Sequence, residues 1–422
     1  MVLQGDSIGQ RSETVRRANL SALARDVHGR GTRSRSELGA RSGLTRTGIG
    51  ALVAELAARG LVSEERASPQ GTPGRPSVLV QPNSSAAVVM ALEIAVDSLA
   101  VTVVGFGGRI HALHRIDRPR DRSSVEETVA DLVELADKVR DRQPARDALI
   151  GVGVAVAGVT RRQDGFVHFA PNLGWRDVPL GARLSEALGT RVPISIANDA
   201  DLGALAEHRR GAAVGTDDVL FISGEVGVGG GLIVDGRPLT GAAGYGGEVG
   251  HLPVNPTGLP CHCGSVGCWE TEVGERALLA RAGRSPEGGR GEVDTVLLDA
   301  AAGVPEAIAA VDSVGRWLGF GMAGLINVLN PQLVVLGGLF GRIYPQVSET
   351  LRGELDRRAL LSRLCMVRVV PAALGVDAPL LGAAELAFEP LLADPAAWML
   401  TPARRPYVQP PDLTRPGWQP LI

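Results

Sequence analysis

Three of the four cysteines of this chain lie within eight residues, in the segment CHCGSVGCWE at positions 261–270. Cysteines clustered in this way, in a chain with so few of them, indicate a metal site rather than disulfides. Cys261, Cys263 and Cys268 would supply three thiolates from one glycine-containing loop. His251, ten residues upstream, can complete a tetrahedral Cys₃His set for a structural Zn²⁺. The alternative is three buried free cysteines beside an unrelated histidine.

The length and composition limit the remaining possibilities. A chain of 422 residues has room for two or three domains. Its hydrophobic content of 45% and charged content of 21% are typical of a globular protein. Apolar runs long enough to span a bilayer and a signal-peptide pattern are both missing. We therefore expect a cytoplasmic protein without a membrane partner. The fourth cysteine, Cys365, lies in an apolar, strand-like segment and is expected to be simply buried.

The charge is distributed unevenly along the chain. The net charge is −3, but residues 1–82 contain 12 Arg and 7 acidic residues and carry about +5. The remainder carries about −8. This asymmetry is typical of a basic DNA-facing module on an acidic body, although a merely solvated basic segment would look the same.

Residues 1–82 show the pattern of a helix-turn-helix. Helical periodicity over 12–29 is followed by a short helix over 36–41, a glycine-containing turn, and a third helix over 45–59. Thr45 can cap the third helix. The apolar positions predicted to form the first and third helical faces are Val15, Leu20, Leu23, Ala24, Val27, Leu44, Ile49, Leu52, Val53 and Leu56.

Two strand-like segments around a Gly/Pro-rich loop then predict the wing of a winged helix. Arg75 would lie at the wing tip, near the minor groove or the phosphates. Thr45, Arg46 and Thr47 begin the third helix, where recognition helices meet DNA. Gly48 and Gly50 fall inside that helix, so either its backbone approaches DNA closely or specificity comes mainly from Arg46, the wing and the N-terminal arm. A winged helix used only for protein contacts is the alternative.

The rest of the chain reads as α/β. A three-stranded meander, a helix and a buried strand are predicted at 88–94, 99–106, 109–116, 124–141 and 149–156. A comparable order recurs, with strands, a long helix and a buried strand at 219–223, 231–234, 311–329 and 333–336. This repetition favours a duplicated actin-like, RNase H-like fold with a cleft between two lobes.

Four segments resemble the ROK family of repressors, open reading frames and sugar kinases. They are the cysteine cluster at 261–270, GEVGVGGGLIVDGRPLTGAAGYGGEVGH at 224–251, PNLGW at 171–175 and IANDADLGALAE at 196–207. The resemblance runs from about residue 13 to 388 and includes the winged helix of the regulator branch. We thus predict a DNA-binding domain over 1–82, a two-lobe ROK domain over 83–388 with its zinc loop at 251–270, and a Pro-rich extension over 389–422.

The resemblance implies a sugar site in the cleft. In family members, the pair matching Asn198 and Asp199 binds sugar hydroxyls, and the aspartate is the general base of the kinases. Further positions match sugar contacts, namely Asn172, Glu248, His251 and Glu270. Carboxylates and amides suit the paired hydroxyls of a pyranose, and a zinc-fixed loop would hold three of these residues in place. Without the resemblance, Asp199 could be a helix cap, and Glu248 and Glu270 solvated loop carboxylates.

The phosphate loops depart from the kinase pattern. Family kinases carry an acidic-x-Gly-Gly-Thr loop, whereas this chain has Ala95, Val96 and Asp97 at the last three positions. The second loop, Gly-Thr-Gly in the kinases, has Glu225 and Val226 before Gly227. Backbone N–H groups thus lose access to phosphate, and negative charge is added. We predict that the chain is not an enzyme and that Asp199 is a vestigial base.

The sequence thus predicts a transcription regulator, expected to repress carbohydrate-related genes. A sugar or sugar-phosphate effector would bind in the cleft. Lobe closure would then change the affinity of a homodimer or homotetramer for double-stranded operator DNA. The alternatives are a zinc-containing sugar kinase that phosphorylates hexoses with ATP, and a regulator with a vestigial cleft controlled by a protein partner. The Pro-rich tail is either flexible or packed through Trp398 and Trp418.

Overall fold

A computed structural model describes residues 8–66, 78–120, 124–140, 148–242, 244–360 and 367–397, with side chains from Glu13 onward. Several positions discussed above lie outside the described residues, namely Arg75, Cys365, Trp398 and Trp418. Among the described residues, no helix is sufficiently long and apolar to cross a membrane.

The N-terminal part, here called the head, is a winged helix-turn-helix as predicted. Its elements are α1 (Ile8–Arg30), β1 (Arg33–Ser34), α2 (Arg35–Ser42), α3 (Arg46–Ala58), β2 (Val62–Arg66) and β3 (Val78–Pro82). The strands form an antiparallel sheet of order β1-β3-β2, in which β2 and β3 are the two sides of the wing.

Local capping sets the ends of the two short helices. Ser34 and Glu37 form a capping box that begins α2, and Gly43, with φ of 67°, ends it. Thr45 accepts a hydrogen bond from Gly48 N at 3.2 Å and begins α3, as expected. Val15 follows the same helical spacing as the other apolar residues of α1, but its side chain is 59% exposed and lies outside the core. It lies ahead of the turns of α1 that pack on the core.

The first lobe is built on a five-stranded sheet of order β11-β7-β4-β5-β6. A small antiparallel sheet, β8-β9-β10, lies beside it. The elements of this lobe are β4 (Val88–Ile94), β5 (Ser98–Gly105), β6 (Arg109–Asp117), α4 (Val125–Arg140), β7 (Leu149–Val156), β8 (Val159–Arg161), β9 (Phe166–Ala170), β10 (Trp175–Val178), α5 (Leu180–Ala187) and β11 (Ile194–Asn198).

The second lobe repeats this design with a sheet of order β14-β13-β12-β15-β16. In both sheets three antiparallel strands are followed by two parallel ones, so the predicted duplication is confirmed. The remaining elements are α6 (Asp199–Arg210), β12 (Val219–Gly224), β13 (Val228–Val234), β14 (Arg237–Pro238), α7 (Trp269–Val273), α8 (Glu275–Arg281), α9 (Gly289–Ala301), α10 (Pro305–Leu329), β15 (Leu333–Gly337), α11 (Gly338–Arg358), β16 (Arg368–Pro371) and α12 (Ala378–Ala393).

The head and the first lobe share one hydrophobic core. Leu20 and Val27 of α1 belong to the same buried cluster as Phe106 and as Phe388 of α12. Helix α12 packs against both β7 and α6, and Gly382 allows the close approach to α6 because an added Cβ would collide with the Leu202 carbonyl. The head is therefore seated on the helices that border the interlobe cleft.

Candidate functional site

A cavity of about 170 Å³ opens between the two lobes. It is lined by all six residues that the resemblance assigned to a sugar, namely Asn172, Asn198, Asp199, Glu248, His251 and Glu270. The two lobes meet closely at Gly227, where an added Cβ would lie 2.8 Å from Glu270 Oε2 and 3.3 Å from Asn172 Nδ2. Amides and carboxylates from distant parts of the chain thus converge on one concave surface.

Asn198 and Asp199 stand where β11 ends and α6 begins. The Asn198 side chain caps the helix by accepting from Ala200 N at 2.8 Å and from Asp201 N at 3.3 Å. Its amide donates to the Gly158 carbonyl at 3.1 Å. Asn198 therefore serves as the helix cap that had been considered for Asp199.

Asp199 is the first residue of α6 and uses one carboxylate oxygen locally. Its Oδ1 accepts from Ala200 N at 2.9 Å. Burial raises the pKa of Asp199 to about 7, and the nearby carboxylates of Glu225 and Glu248 add to the rise. An oxygen facing the cavity with this proton affinity can accept from, or share a proton with, a ligand hydroxyl.

The predicted metal ligands converge beside this cavity. The ligand atoms of His251, Cys261, Cys263 and Cys268 all lie within 4.8 Å of one another. Cys263 Sγ is 3.6 Å from Cys268 Sγ, and Cys261 Sγ is 3.7 Å from His251 Nδ1. Three sulfur donors and one imidazole nitrogen at such spacing fit a tetrahedral Zn²⁺.

His251 links this cluster to the cavity. Its Nδ1 faces the cysteines, while its Nε2 lies 3.8 Å from Glu248 Oε2, which lines the cavity. Glu270 is held nearby because its Oε1 lies 2.8 Å from Cys261 Sγ. A metal on Nδ1 would fix the ring and thereby orient Nε2 towards a ligand.

Trp269 anchors the cysteine loop to the body of the second lobe. Its indole is fully buried and donates from Nε1 to the Trp317 carbonyl at 2.9 Å. Gly321 of α10 provides the room, since an added Cβ would collide with the indole. Within the loop, Gly264 and Gly267 adopt positive φ values of 94° and 68°, which permit its tight turns.

Ion pairs occupy the region of Asp97 and Glu225, where the sequence departs from the kinase phosphate-loop pattern. Asp97 lies 3.1 Å from Arg120 Nη2 and 3.0 Å from Arg290 Nη2, and Arg290 in turn lies 4.0 Å from Glu225. Arg120 also binds Glu275 of α8, at 2.5 Å. Two of these pairs, Asp97–Arg290 and Arg120–Glu275, cross from the first lobe to the second.

Glu93 is a buried member of the site that the sequence reasoning did not single out. It is 6% exposed, lines the cavity, and lies 2.9 Å from Arg115, which also binds Asp377 at 2.9 Å. Burial raises the pKa of Glu93 to about 7, against the opposing effect of Arg115. Its position at the start of the first phosphate-loop motif is the sequence signal that could have identified it. Its partners Arg115 and Asp377 lie far away in the sequence, so no local pattern indicates these contacts.

Thr45, Arg46 and Thr47 form an exposed start to α3. The structure does not describe Arg75, so its relation to these residues remains a prediction. An added Cβ at Gly48 or Gly50 would make only ordinary contacts, at 3.4 Å with Thr45 Oγ1 and 3.6 Å with Arg35 Nη1. Packing within the described residues therefore does not require glycine at these two positions.

A family model described as the ROK family matches residues 89–389. This chain belongs to the ROK family. It is 28% identical over 381 residues to the xylose repressor of Bacillus subtilis (strain 168), with 90% of this chain and 97% of that protein covered. It is 32% identical over 324 residues to a glucokinase of Streptomyces coelicolor, with 71% and 99% covered.

Among solved ROK structures, too, a regulator covers more of this chain than a glucokinase does. A ROK family transcriptional regulator, a homologue of the E. coli MLC protein, superposes with a TM-score of 0.71 at 24% identity and covers 90% of this chain and 97% of its own. A ROK glucokinase from Streptomyces griseus, solved with glucose and AMPPNP, gives a TM-score of 0.62 at 29% identity and covers 72% and 99%. These two ROK regulators thus match 90% of the chain, whereas the two glucokinases match 71% and 72% of it.

Proposed function

We propose that this ROK protein is a sugar-responsive transcriptional repressor. The observation that carries the proposal is the presence in one chain of a winged helix-turn-helix and an interlobe cavity lined by the six candidate sugar residues. The greater coverage by xylose repressors than by glucokinases supports the regulator branch.

The proposed division of labour follows the three parts of the sequence. Residues 1–82 bind double-stranded operator DNA through the start of α3 (Thr45, Arg46 and Thr47) and through Arg75 of the wing. Residues 83–388 bind the effector, and residues 389–422 form an extension. Because operators of helix-turn-helix proteins are read by symmetric pairs of heads, we propose a homodimer or homotetramer acting in the cytoplasm.

In the proposed effector site, Asn172, Asn198 and Asp199 contact the sugar from one side and Glu248, His251 and Glu270 from the other. Paired acceptors of this kind suit vicinal hydroxyls, which donate and accept together. A structural Zn²⁺ held by His251, Cys261, Cys263 and Cys268 would set the position of the second group. Such an ion would stabilise the loop and orient His251.

We further propose that the chain does not transfer phosphate. Ala95 and Val96 replace glycines, Asp97 replaces a hydroxyl residue, and Glu225 and Val226 alter the second loop. Asp97 and Glu225 flank Arg290, so carboxylates stand where a nucleotide phosphate would need cationic or N–H groups. Asp199 would then bind a sugar hydroxyl, but that hydroxyl would have no phosphoryl donor to attack.

The decisive experiment combines DNA selection with sugar titration. Operator fragments are selected in vitro with the full-length protein, and their affinity is measured with and without D-xylose, D-glucose and N-acetyl-D-glucosamine. We expect one sugar to lower DNA affinity, Asp199→Asn to abolish that response, and Glu134→Gln, an exposed change on α4, to preserve it. A protein that selects no DNA, or that phosphorylates these sugars with ATP at an enzymatic rate, would refute the proposal.

A further inference from the structure

The cavity has a carboxylate end, made of Glu93, Asp97 and Glu225, on the side of the degraded phosphate loops. Asp199 lines the same cavity; repulsion between it and Glu93 contributes to the raised pKa of Glu93, and repulsion from Glu225 contributes to the raised pKa of Asp199. A phosphate attached to a sugar hydroxyl at Asp199 would therefore enter a region crowded with carboxyl groups, whose negative charge grows as the pH rises through about 7.

Glu225 also covers the N-terminus of a long helix. Helix α11 has 21 residues and begins at Gly338 without a side-chain cap. An added Cβ at Gly338 would lie 2.5 Å from Glu225 Oε1, so the carboxylate rests against the first residue of the helix. Helix N-termini attract anions, and the chain presents one of its own there.

The arginines of this region are already engaged by carboxylates. Arg290 lies between Asp97 and Glu225, at 3.0 and 4.0 Å, and Arg115 lies between Glu93 and Asp377, at 2.9 Å from each. A phosphate arriving from solvent would have to displace one of these carboxylates and leave it in a low-dielectric cavity without its partner.

We propose that the carboxylate end makes this pocket specific for an unphosphorylated sugar, with Asp97 and Glu225 as the residues that reject phosphate esters and nucleotides. This inference rests on the proposed function and narrows its effector class. The neutral ligand leaves the Asp97–Arg290–Glu225 contacts intact, and they continue to join the lobes while the sugar is bound.

Calorimetric titration of the full-length protein tests this specificity. The probes are D-glucose and N-acetyl-D-glucosamine, each paired with its 6-phosphate ester, together with D-xylose alone. We expect a neutral sugar to bind about tenfold or more tightly than its ester. Glu225→Gln should narrow that ratio, whereas the exposed control Glu134→Gln should leave it unchanged. An ester that binds as well as its sugar would overturn the inference but leave sugar response standing; binding of neither would overturn both.

A second and independent observation concerns two helices that run from the pocket to the head, here called the coupling helices, α6 and α12. Helix α6 begins at Asp199 in the cavity and ends at Arg210, about 18 Å away along its axis. Helix α12 begins at Ala378 and Pro379, which also line the cavity. The two helices pack on each other at Gly382, so their relative position is closely fixed.

The far ends of the coupling helices hold α1 of the head. Glu389 of α12 binds Arg25 of α1 through two bonds of 2.5 and 3.0 Å, and it binds Arg209 of α6 at 3.2 Å. Ser21 of α1 donates to the Leu392 carbonyl at 2.6 Å. Both helices therefore touch the ligand cavity at one end and the DNA-binding head at the other.

We infer that the coupling helices carry the effector signal to the head, and that Glu389 and Arg25 are positioning residues for this transmission. Coupling between two sites is reciprocal, so DNA must change sugar affinity by the same factor by which sugar changes DNA affinity. Loss of the Glu389–Arg25 pair should reduce both effects together while leaving each separate affinity in place.

The test uses DNA selected in vitro by the wild-type protein and saturating D-xylose or D-glucose. We expect sugar to change wild-type DNA affinity about tenfold, and Glu389→Gln or Arg25→Ala to reduce that factor to about threefold or less. Glu13→Gln, also on α1, is the control. Unaltered coupling in both variants, or no effect of either sugar on the wild type, would overturn the inference; thermal unfolding shows that the variants are folded.

Discussion

His28 Nε2 of the head lies 3.2 Å from Glu385 Oε1 of α12, and both side chains are almost fully buried. Gly107 N donates to His28 Nδ1 at 3.0 Å, and Arg210 Nη2 lies 2.7 Å from His28 Nε2, so both ring nitrogens have polar partners. Burial lowers the pKa of His28. Burial alone would raise the pKa of Glu385, but His28, Arg210 and Arg209 hold it well below its usual range.

We expect His28→Ala to destabilise the whole chain by about 2–4 kcal/mol. The imidazole packs against Phe388, with ring centroids 4.6 Å apart, and against Phe106, at 5.0 Å. Urea unfolding followed by fluorescence and circular dichroism gives the measurement. Val15→Ala, on the exposed face of α1, should change stability by less than about 0.5 kcal/mol. Loss of the head transition alone in His28→Ala would contradict a shared core.

A second prediction separates the metal ligands from their neighbour. Cys263→Ser should weaken zinc binding more than about a hundredfold, because a direct ligand is lost. His262 stands between two of the ligands in sequence, but its Nε2 lies 2.9 Å from Arg276 instead. His262→Ala should therefore retain one zinc per chain. Metal analysis after dialysis distinguishes the two variants, and equal zinc loss in both would argue against the assigned ligand set.

A third prediction concerns the recognition helix. Arg46→Ala should weaken operator binding by about 1–2 kcal/mol and, if Arg46 meets a phosphate, lower the salt slope by about 1. Arg17→Ala, a change on α1 at an exposed arginine that pairs with Glu13 and Asp394, is the charge-matched control. Fluorescence anisotropy at several salt concentrations supplies both quantities. Equal affinities for Arg46→Ala and the control would remove the start of α3 from the interface.

A fourth prediction uses the raised pKa of Glu93. In the unfolded chain this carboxyl ionises near its ordinary pKa, whereas in the folded protein it retains its proton up to about pH 7. The folded state therefore binds more protons between these two values, and stability falls as pH rises through that window. Above about pH 7 the carboxyl is ionised in both states, and the loss of stability caused by burying its charge is complete.

Glu93→Gln cannot ionise and escapes this penalty. Its stability relative to the wild type should increase by about 2–3 kcal/mol between pH 5 and pH 8. The groups that set the effect are Arg115, which opposes it, and Asp199 and Asp377, which reinforce it. Urea unfolding at the two pH values tests this expectation, and a relative stability independent of pH would contradict it.

Much of the fold could be predicted because its signals are local. The strand at Leu149–Val156 was predicted with its observed bounds, since an uninterrupted apolar run reads as a buried strand. The cap at Thr45 followed from one residue type in one position. Helix α10 was predicted to begin at 311 but begins at Pro305, because its first turns carry exposed side chains and lack a continuous apolar face.

The candidate site was less accessible to sequence reasoning wherever its contacts are remote. The six sugar residues came from short motifs, and the structure brings them to one cavity. The contact of Arg290 with Asp97, however, joins residues 193 positions apart. Likewise, nothing in the sequence around His28 identifies Glu385 as its partner. Such pairs depend on how the sheets and helices assemble, which a single sequence does not encode locally.

The core shared by α1 and α12 limits how freely the DNA-binding head of this chain could be exchanged for another. A head grafted onto another sensor would bring Leu20 and His28 but leave Phe106 and Phe388 behind, and each half would present an unmatched apolar surface. Recombination at the sequence boundary near residue 82 would thus cut through a single packing unit. A working chimaera has to inherit α12 together with α1, so these two helices, although far apart in the sequence, have to be exchanged as one unit.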